Sequence, residues 1–194
     1  MRAGTRPLIA RVTPELVRQG GRVRIDTLAQ GTLEAVDVGN VEVSPGDASL
    51  EVAPSGSPLL LTLDDGGLES LGAGAQPLLV RASGLSSRRS VIRIAGIGAP
   101  VLDAPAAAPH DAGTDLVLTG ANLTGADDAV LWPDVGLTAP TDVHTLPVSN
   151  VAAGSVTIPS PGGLATVPEG RGAWRLAVRI GTQYTPYVVL ELTS

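Results

Sequence analysis

Two histidines, two pairs of adjacent aspartates and four aromatic rings are the side chains whose chemistry goes beyond packing. His110 is followed by Asp111, and His144 lies in Asp142-Val143-His144-Thr145. A His–Asp pair can serve a nucleophile, but no Gly-x-Ser-x-Gly elbow is present to present a serine. Two imidazoles with no cysteine and no suitably spaced glutamate do not assemble a zinc site. Both histidines are therefore expected in loops or at a rim. Asp64-Asp65 and Asp127-Asp128 stand beside glycine, the kind of oxygen cluster calcium takes. The EF-hand spacing is missing, so both are read as turns. Asn122-Leu123-Thr124 is formally a glycosylation sequon. The plainer role for Asn122 is a corner residue that tolerates left-handed backbone and bonds its own main chain. No residue is assigned to catalysis, a cofactor or a metal, and the chain is read as not an enzyme.

The rings bear on contact rather than reaction. Trp132, Trp174, Tyr184 and Tyr187 all fall in the second half, and the chain has no phenylalanine. A bulky ring anchors an interface or plugs the core of a sandwich. In Ala173-Trp174-Arg175-Leu176-Ala177-Val178, Trp174 has the parity of Leu176 and Val178 and is expected in the core. Trp132 precedes Pro133 at a strand end, where rim and core both stay open. Tyr184 and Tyr187 flank Thr185-Pro186 and are read as exposed. The first half has its own asymmetry: Arg2, Arg6, Arg11, Arg18, Arg22 and Arg24 fall within 24 residues. These form either a solvated strand face or a contact for an acidic partner. The interaction candidates are Trp132, Tyr184, Tyr187, Arg18, Arg22 and Arg24.

The elements that must position these residues repeat. Arg6–Ile25 and Ala99–Leu118 share Pro7/Pro100, Gly20/Gly113, Val23/Leu116 and Ile25/Leu118 at an offset of 93. Leu79-Val80-Arg81 echoes Ala177-Val178-Arg179 at an offset of 98. Strand candidates are short, rich in β-branched residues and bounded by Gly, Pro, Asp and Ser. In the first half they are Leu8–Val12, Arg22–Leu28, Leu33–Val38, Val41–Ser44, Ser49–Val52, Leu59–Leu63, Pro77–Ala82 and Ser90–Ile94. In the second they are Val101–Asp103, Thr114–Thr119, Ala129–Trp132, Asp142–Pro147, Ser155–Ile158, Ala173–Ile180 and Tyr187–Leu192. Helix is nearly absent; Pro14–Gln19 and Gly67–Leu71 are each read as one short turn. Ala104–Pro109 is read as a lengthened, proline-stiffened first strand. The fold class expected is all-β, two tandem immunoglobulin-like β-sandwiches, covering residues 1–96 and 97–194.

Composition narrows the function. The chain has 194 residues, a net charge of −6, 43% apolar residues and 2% aromatics. With so few rings, the cores must be built from Val, Leu, Ile and Ala through many small contacts. Every basic residue is arginine; with the missing Lys, Phe and Cys this is read as genomic base-composition bias. An acidic chain with no basic run lacks the electrostatic footprint and stacking platforms of a nucleic-acid binder. Arg88-Arg89 is too short to count as a basic patch. Without cysteine there is no disulfide framework. Residues 1–7 carry no apolar run of a signal peptide, and no stretch approaches a membrane span.

The pattern Pro7-x-Ile9 with Val12-Thr13-Pro14, then Gly20-Gly21 and an alternating strand, resembles the start of an IPT/TIG-type immunoglobulin-like domain. In the second half, Leu118-Thr119-Gly120-Ala121-Asn122-Leu123 resembles that family's strand and G-x-N-L corner. The first half lacks that glycine and the second lacks the Val-Thr. Such domains are spacers and binding modules, so the resemblance implies the sandwich and leaves function to the site. The alanine-rich, arginine-only tandem also resembles immunoglobulin-like modules of phage and phage-tail-like contractile injection systems. The expected function is a non-enzymatic structural or interaction protein, an accessory, decoration or cap component of such a particle. The alternative is an extracellular carbohydrate-binding or adhesion module. The first reading implies other protein subunits of a larger assembly as partners, with no nucleic acid, membrane, small-molecule substrate or cofactor. Localisation follows as a virion or phage-tail-like particle, otherwise the cytoplasm.

Overall fold

The computed structural model describes residues 6–28, 31–106, 108–134, 142–167 and 172–193. The chain divides into two compact units, residues 1–96 and 97–194. Among the described residues of the first, ten strands run in order: β1 (Ile9–Thr13), β2 (Leu16–Val17), β3 (Arg22–Thr27), β4 (Leu33–Val38), β5 (Val41–Val43), β6 (Leu50–Val52), β7 (Leu59–Thr62), β8 (Gly74–Ala82), β9 (Leu85–Ser86) and β10 (Ser90–Ile94). They form two sheets, β1-β3-β7-β6 and β2-β10-β8-β4-β5, with β9 paired to β8. Alternation decides what each strand buries. Val23 and Ile25 of β3 enter the core with Leu59 and Leu61, against Val36, Val38, Leu78, Val80 and Ile92 of the facing sheet.

One expectation is corrected here. Pro14–Gln19 is not a helical turn: Leu16–Val17 is a strand that pairs parallel with Arg93–Ile94 of β10. The chain thus leaves β1 and joins the opposite sheet as β2. Gly67–Leu71 does turn, as a 3-10 helix over Leu68–Ser70.

The second unit contains β11 (Val101–Leu102), β12 (His110–Asp111), β13 (Leu116–Ala121), β14 (Ala126–Pro133), β15 (His144–Pro147), β16 (Ser155–Ile158), β17 (Ala173–Ile180), β18 (Gln183–Tyr184) and β19 (Val188–Thr193). Its sheets are β11-β13-β16 and β12-β19-β17-β14-β15, with β18 on β17. Of the expected Ala104–Pro109 extension, Ala107 lies outside the described residues, and residues 104–106 and 108–109 do not lengthen the first strand. β11 ends at Leu102, and the chain reappears as β12, parallel to β19 in the other sheet. This matches the β1-to-β2 passage of the first unit. A short 3-10 helix over Leu164–Thr166 was not anticipated.

The corner at Gly120 has a steric cause. A Cβ there would lie 2.1 Å from the Val101 carbonyl oxygen, so only glycine lets β11 close on β13. Asn122 follows at φ 57° and donates its side-chain amide to the Ala99 carbonyl at 2.8 Å. Its partner is a neighbouring segment rather than its own main chain.

Each unit is a two-sheet sandwich in which a first strand divides between the sheets, and each is immunoglobulin-like. Among the described residues no helix is long and apolar enough to cross a membrane.

Candidate functional site

The outer face of β14, β17 and β19 is where the expected rings meet. In β14, Ala129 and Leu131 point into the core, so Asp128, Val130 and Trp132 point out. In β17, Trp174, Leu176 and Val178 point in, and Arg175, Ala177 and Arg179 point out. Antiparallel register then sets Trp132 beside Arg175, Val130 beside Ala177 and Asp128 beside Arg179. Tyr184 and Tyr187 reach the same face from the segment that returns into β19.

That returning segment is pinned from below. Thr185 is buried, its hydroxyl accepts the Val178 N–H at 3.0 Å, and its own N–H donates to the Val178 carbonyl at 2.9 Å. With Thr185 held against β17, its neighbours Tyr184, Pro186 and Tyr187 are fixed along the sheet's outer side. With Thr185 itself, Val130, Ala177, Trp132 and Val143 they line an open groove of about 400 Å³.

Its rings are ordered by contact. Trp132 and Tyr187 meet edge to face, centroids 6.1 Å apart at 65°. The Arg175 guanidinium lies 4.9 Å from the Tyr187 centroid, a cation–π geometry. Arg175 is held in turn by Asp134, whose Oδ1 accepts from Nε at 2.7 Å. At the other end Arg179 donates to both oxygens of Asp128, with Nε at 3.1 and 3.0 Å. Asp127 accepts the Gly181 N–H at 2.7 Å. The apolar groove therefore ends in ion pairs on both sides. The hydrogen bond to Asp128, with the nearby carboxylate charge, raises the Arg179 pKa above its ordinary value. A raised cation pKa adds stability below the unfolded value and loses it only as pH climbs through the folded one. For arginine that window is strongly alkaline, so Arg179 keeps its charge near neutrality.

The expected site residues separate into two groups. Trp132, Tyr184 and Tyr187 converge; Tyr184 is 55% exposed, whereas Tyr187, expected exposed, is half-buried against Trp132 and Arg175. Trp174 is in the core at 1% exposure, its ring 5.7 Å from His144. The arginines do not form one patch. Arg24 is 6% exposed and donates Nε to Asp26 at 2.9 Å, so it faces an internal carboxylate rather than a partner. Arg11 donates to the same aspartate at 2.8 Å. Arg22 is half-buried on the outer side of β3, and Arg18 sits half-buried in the turn that precedes it.

The polar candidates also find places. Asp127-Asp128 is not a turn but a bulged stretch of β14 that binds Arg179. Asp65 accepts the Gly66 N–H at 2.7 Å, as a turn residue does. His110 and His144 lie in β12 and β15, at opposite edges of one sheet. Four strand spacings, about 19 Å, separate those edges, too far for a shared ligand or proton. His110 Nε2 instead contacts the Thr114 carbonyl at 3.2 Å. Among the described residues no group of three potential metal ligands occurs. The parts missed from sequence are Arg175, Asp134 and the Val130–Ala177 pair. Their signal was parity: they alternate with the core residues of strands already expected.

No family model matches the chain, and no curated protein matches it. Among solved structures it is similar to the full extracellular region of plexin A4, at 14% identity and a TM-score of 0.39, over 98% of this chain and 16% of that one. It is similar to SGBP-B from a complex xyloglucan utilization locus in Bacteroides uniformis, at 16% identity and 0.38, over 96% and 49%. It is also similar to tandem immunoglobulin domains of titin, at 9% identity and 0.32, over 98% and 97%. The chain spans less than half the length of the first two. At these identities and scores the likeness carries nothing about function. The fold stands on the chain's own topology: two tandem immunoglobulin-like sandwiches, the second bearing an aromatic groove.

Proposed function

We propose that the chain is a non-enzymatic interaction protein built of two IPT/TIG-type domains, and that its second domain seats a protein partner in the Trp132–Tyr184–Tyr187 groove. The Gly120 close approach and the left-handed Asn122 support the family reading. The groove supports the functional one. Its lining is apolar and aromatic, and Arg175–Asp134 and Arg179–Asp128 frame it. Aromatic centres with polar rims are where protein interfaces concentrate their affinity.

A sugar is the second reading, favoured by the 55% exposure of Tyr184. Against it, Trp132 and Tyr187 stand at 65° and share no flat platform. The Thr185 hydroxyl is engaged with β17 instead of facing the groove's occupant. The phage or phage-tail-like setting draws no support from the fold or the neighbours, and the groove reads the same without it.

A photo-crosslinking residue at position 184 of the full chain tests this in its native host. The expected result is a discrete protein adduct that disappears with Tyr187→Ala. A glycan-array signal abolished by Tyr187→Ala, with no protein adduct, would replace this reading with the sugar one.

A further inference from the structure

We infer that the first domain carries a second docking surface, the outer face of β8 and β10, shaped for a protein partner with carboxylates around an apolar centre. In β10, Ile92 and Ile94 point into the core, so Val91 and Arg93 point out, and Arg89 precedes them with the same parity. Arg88, Arg89 and Arg93 are exposed, and Val91 is 47% exposed. Register places Pro77 beside Val91, and Leu79 follows two residues on along the same outer side of β8. Alternate residues on a strand stand about 7 Å apart, so Arg89 and Arg93 bracket Val91 along roughly 13 Å.

The charge state of this strip sets it apart. Arg11 and Arg24 hold Asp26, Arg81 holds Asp37 and Glu42, Arg175 holds Asp134, and Arg179 holds Asp127 and Asp128. Among the described residues no carboxylate pairs with Arg88, Arg89 or Arg93. Arg6 and Arg22 also lack one, but Arg22's neighbour along β3 is Arg24, whose charge Asp26 already meets. A chain of net charge −6 thus leaves Arg89 and Arg93 uncompensated on this face, with Arg88 exposed next to Arg89. Acidic groups near this face are Asp37 and Glu42, already bound to Arg81, and the exposed Glu15 ahead of β2.

Arginines around an apolar centre fit a carboxylate-bearing protein surface, where bidentate pairing gives orientation as well as attraction. Nucleic acid is disfavoured by the net negative charge and by the absence of any ring on the strip. This surface lies on a different domain from the groove and does not depend on it.

The test uses the full chain and a labelled peptide of alternating Glu and Val, followed by fluorescence anisotropy. Duplex DNA and phosphatidylserine vesicles are the rival probes. The peptide is expected to bind at low salt and to weaken about tenfold in an Arg89→Glu/Arg93→Glu variant, with a comparable loss on raising salt from about 20 to about 200 mM. Arg89→Gln/Arg93→Gln should give an intermediate loss, and Val91→Ser a loss of severalfold. Unchanged thermal transitions would show that the variants stay folded. Absence of peptide binding, affinity indifferent to the arginine variants, or tighter binding to DNA or vesicles would overturn the inference.

Discussion

The same sheet face in the two domains carries opposite surfaces on one frame. Under the offset of 98, Arg81 matches Arg179 and both hold aspartates. Ser87 matches Thr185; each is buried and exchanges two hydrogen bonds with the valine seven residues earlier, Val80 or Val178. Between these anchors everything outward differs. Ser86, Arg88 and Arg89 stand where the second domain has Tyr184, Pro186 and Tyr187. Strand register puts Gly39 where the second domain has Trp132, and Asp37 where it has Val130. One face is an arginine strip and the other an aromatic groove. The hydrogen-bonded frame is the same in both domains while the outward chemistry differs.

The largest test of this comparison lies in the core. Trp174 is fully buried, and its match in the first domain under the offset of 98 is Gln76. Trp174→Ala should cost about 3–5 kcal/mol. Calorimetry should show the second domain's transition falling while the first domain's stays in place. A shared loss would mean that the domains do not unfold separately.

Gly120 comes next. Its match in β3 is Thr27, where β1 shifts register between Ile9 and Arg11. That irregularity admits a side chain in the first domain, whereas the second relies on bare backbone. Gly120→Ala should cost roughly 1–3 kcal/mol through overpacking. Thr27→Ala should leave the β1 pairing intact, as hydrogen exchange at the strand amides would report.

A smaller, symmetric effect is expected at the shared anchor. Thr185→Val and Ser87→Ala each leave a buried valine N–H without its partner, at a cost of about 1–2 kcal/mol. Chemical denaturation should give similar values for both. A clear inequality would show that the corner is not the same device in the two domains.

Most of the strand frame was legible because alternation and turn residues survive in short segments. Ser155–Ile158 and Ala173–Ile180 match their expected bounds. What escaped were two-residue strands such as Leu16–Val17 and His110–Asp111, which are too short to show a period and exist only through their parallel partners. The rings were legible by type but not by convergence. Trp132 and Tyr187 meet only because β14 and β19 both flank β17. The arginines misled because density along the chain is not density on a surface. Arg24 and Asp26 share one side of β3 and satisfy each other, an i, i+2 pairing visible in the sequence. In Arg88-Arg89, too short to count as a patch, Arg89 gains Arg93 as a neighbour once strand parity is applied.

The smallest stability effect and the most direct test belong to the same residue. Tyr187 adds two surface contacts to the fold, edge-to-face with Trp132 and cation–π with Arg175, each about 0.5–1 kcal/mol. Exchanging the two domains' identities at this position separates frame from surface: Tyr187→Arg in the groove, and Arg89→Tyr on the strip. The measurement is the yield of the protein adduct crosslinked at position 184. The account predicts that Tyr187→Arg abolishes the adduct with the thermal transitions nearly unchanged, and that Arg89→Tyr leaves the adduct intact. An adduct that survives Tyr187→Arg, or that vanishes equally with Arg89→Tyr, would contradict the claim that the two domains present distinct contact surfaces.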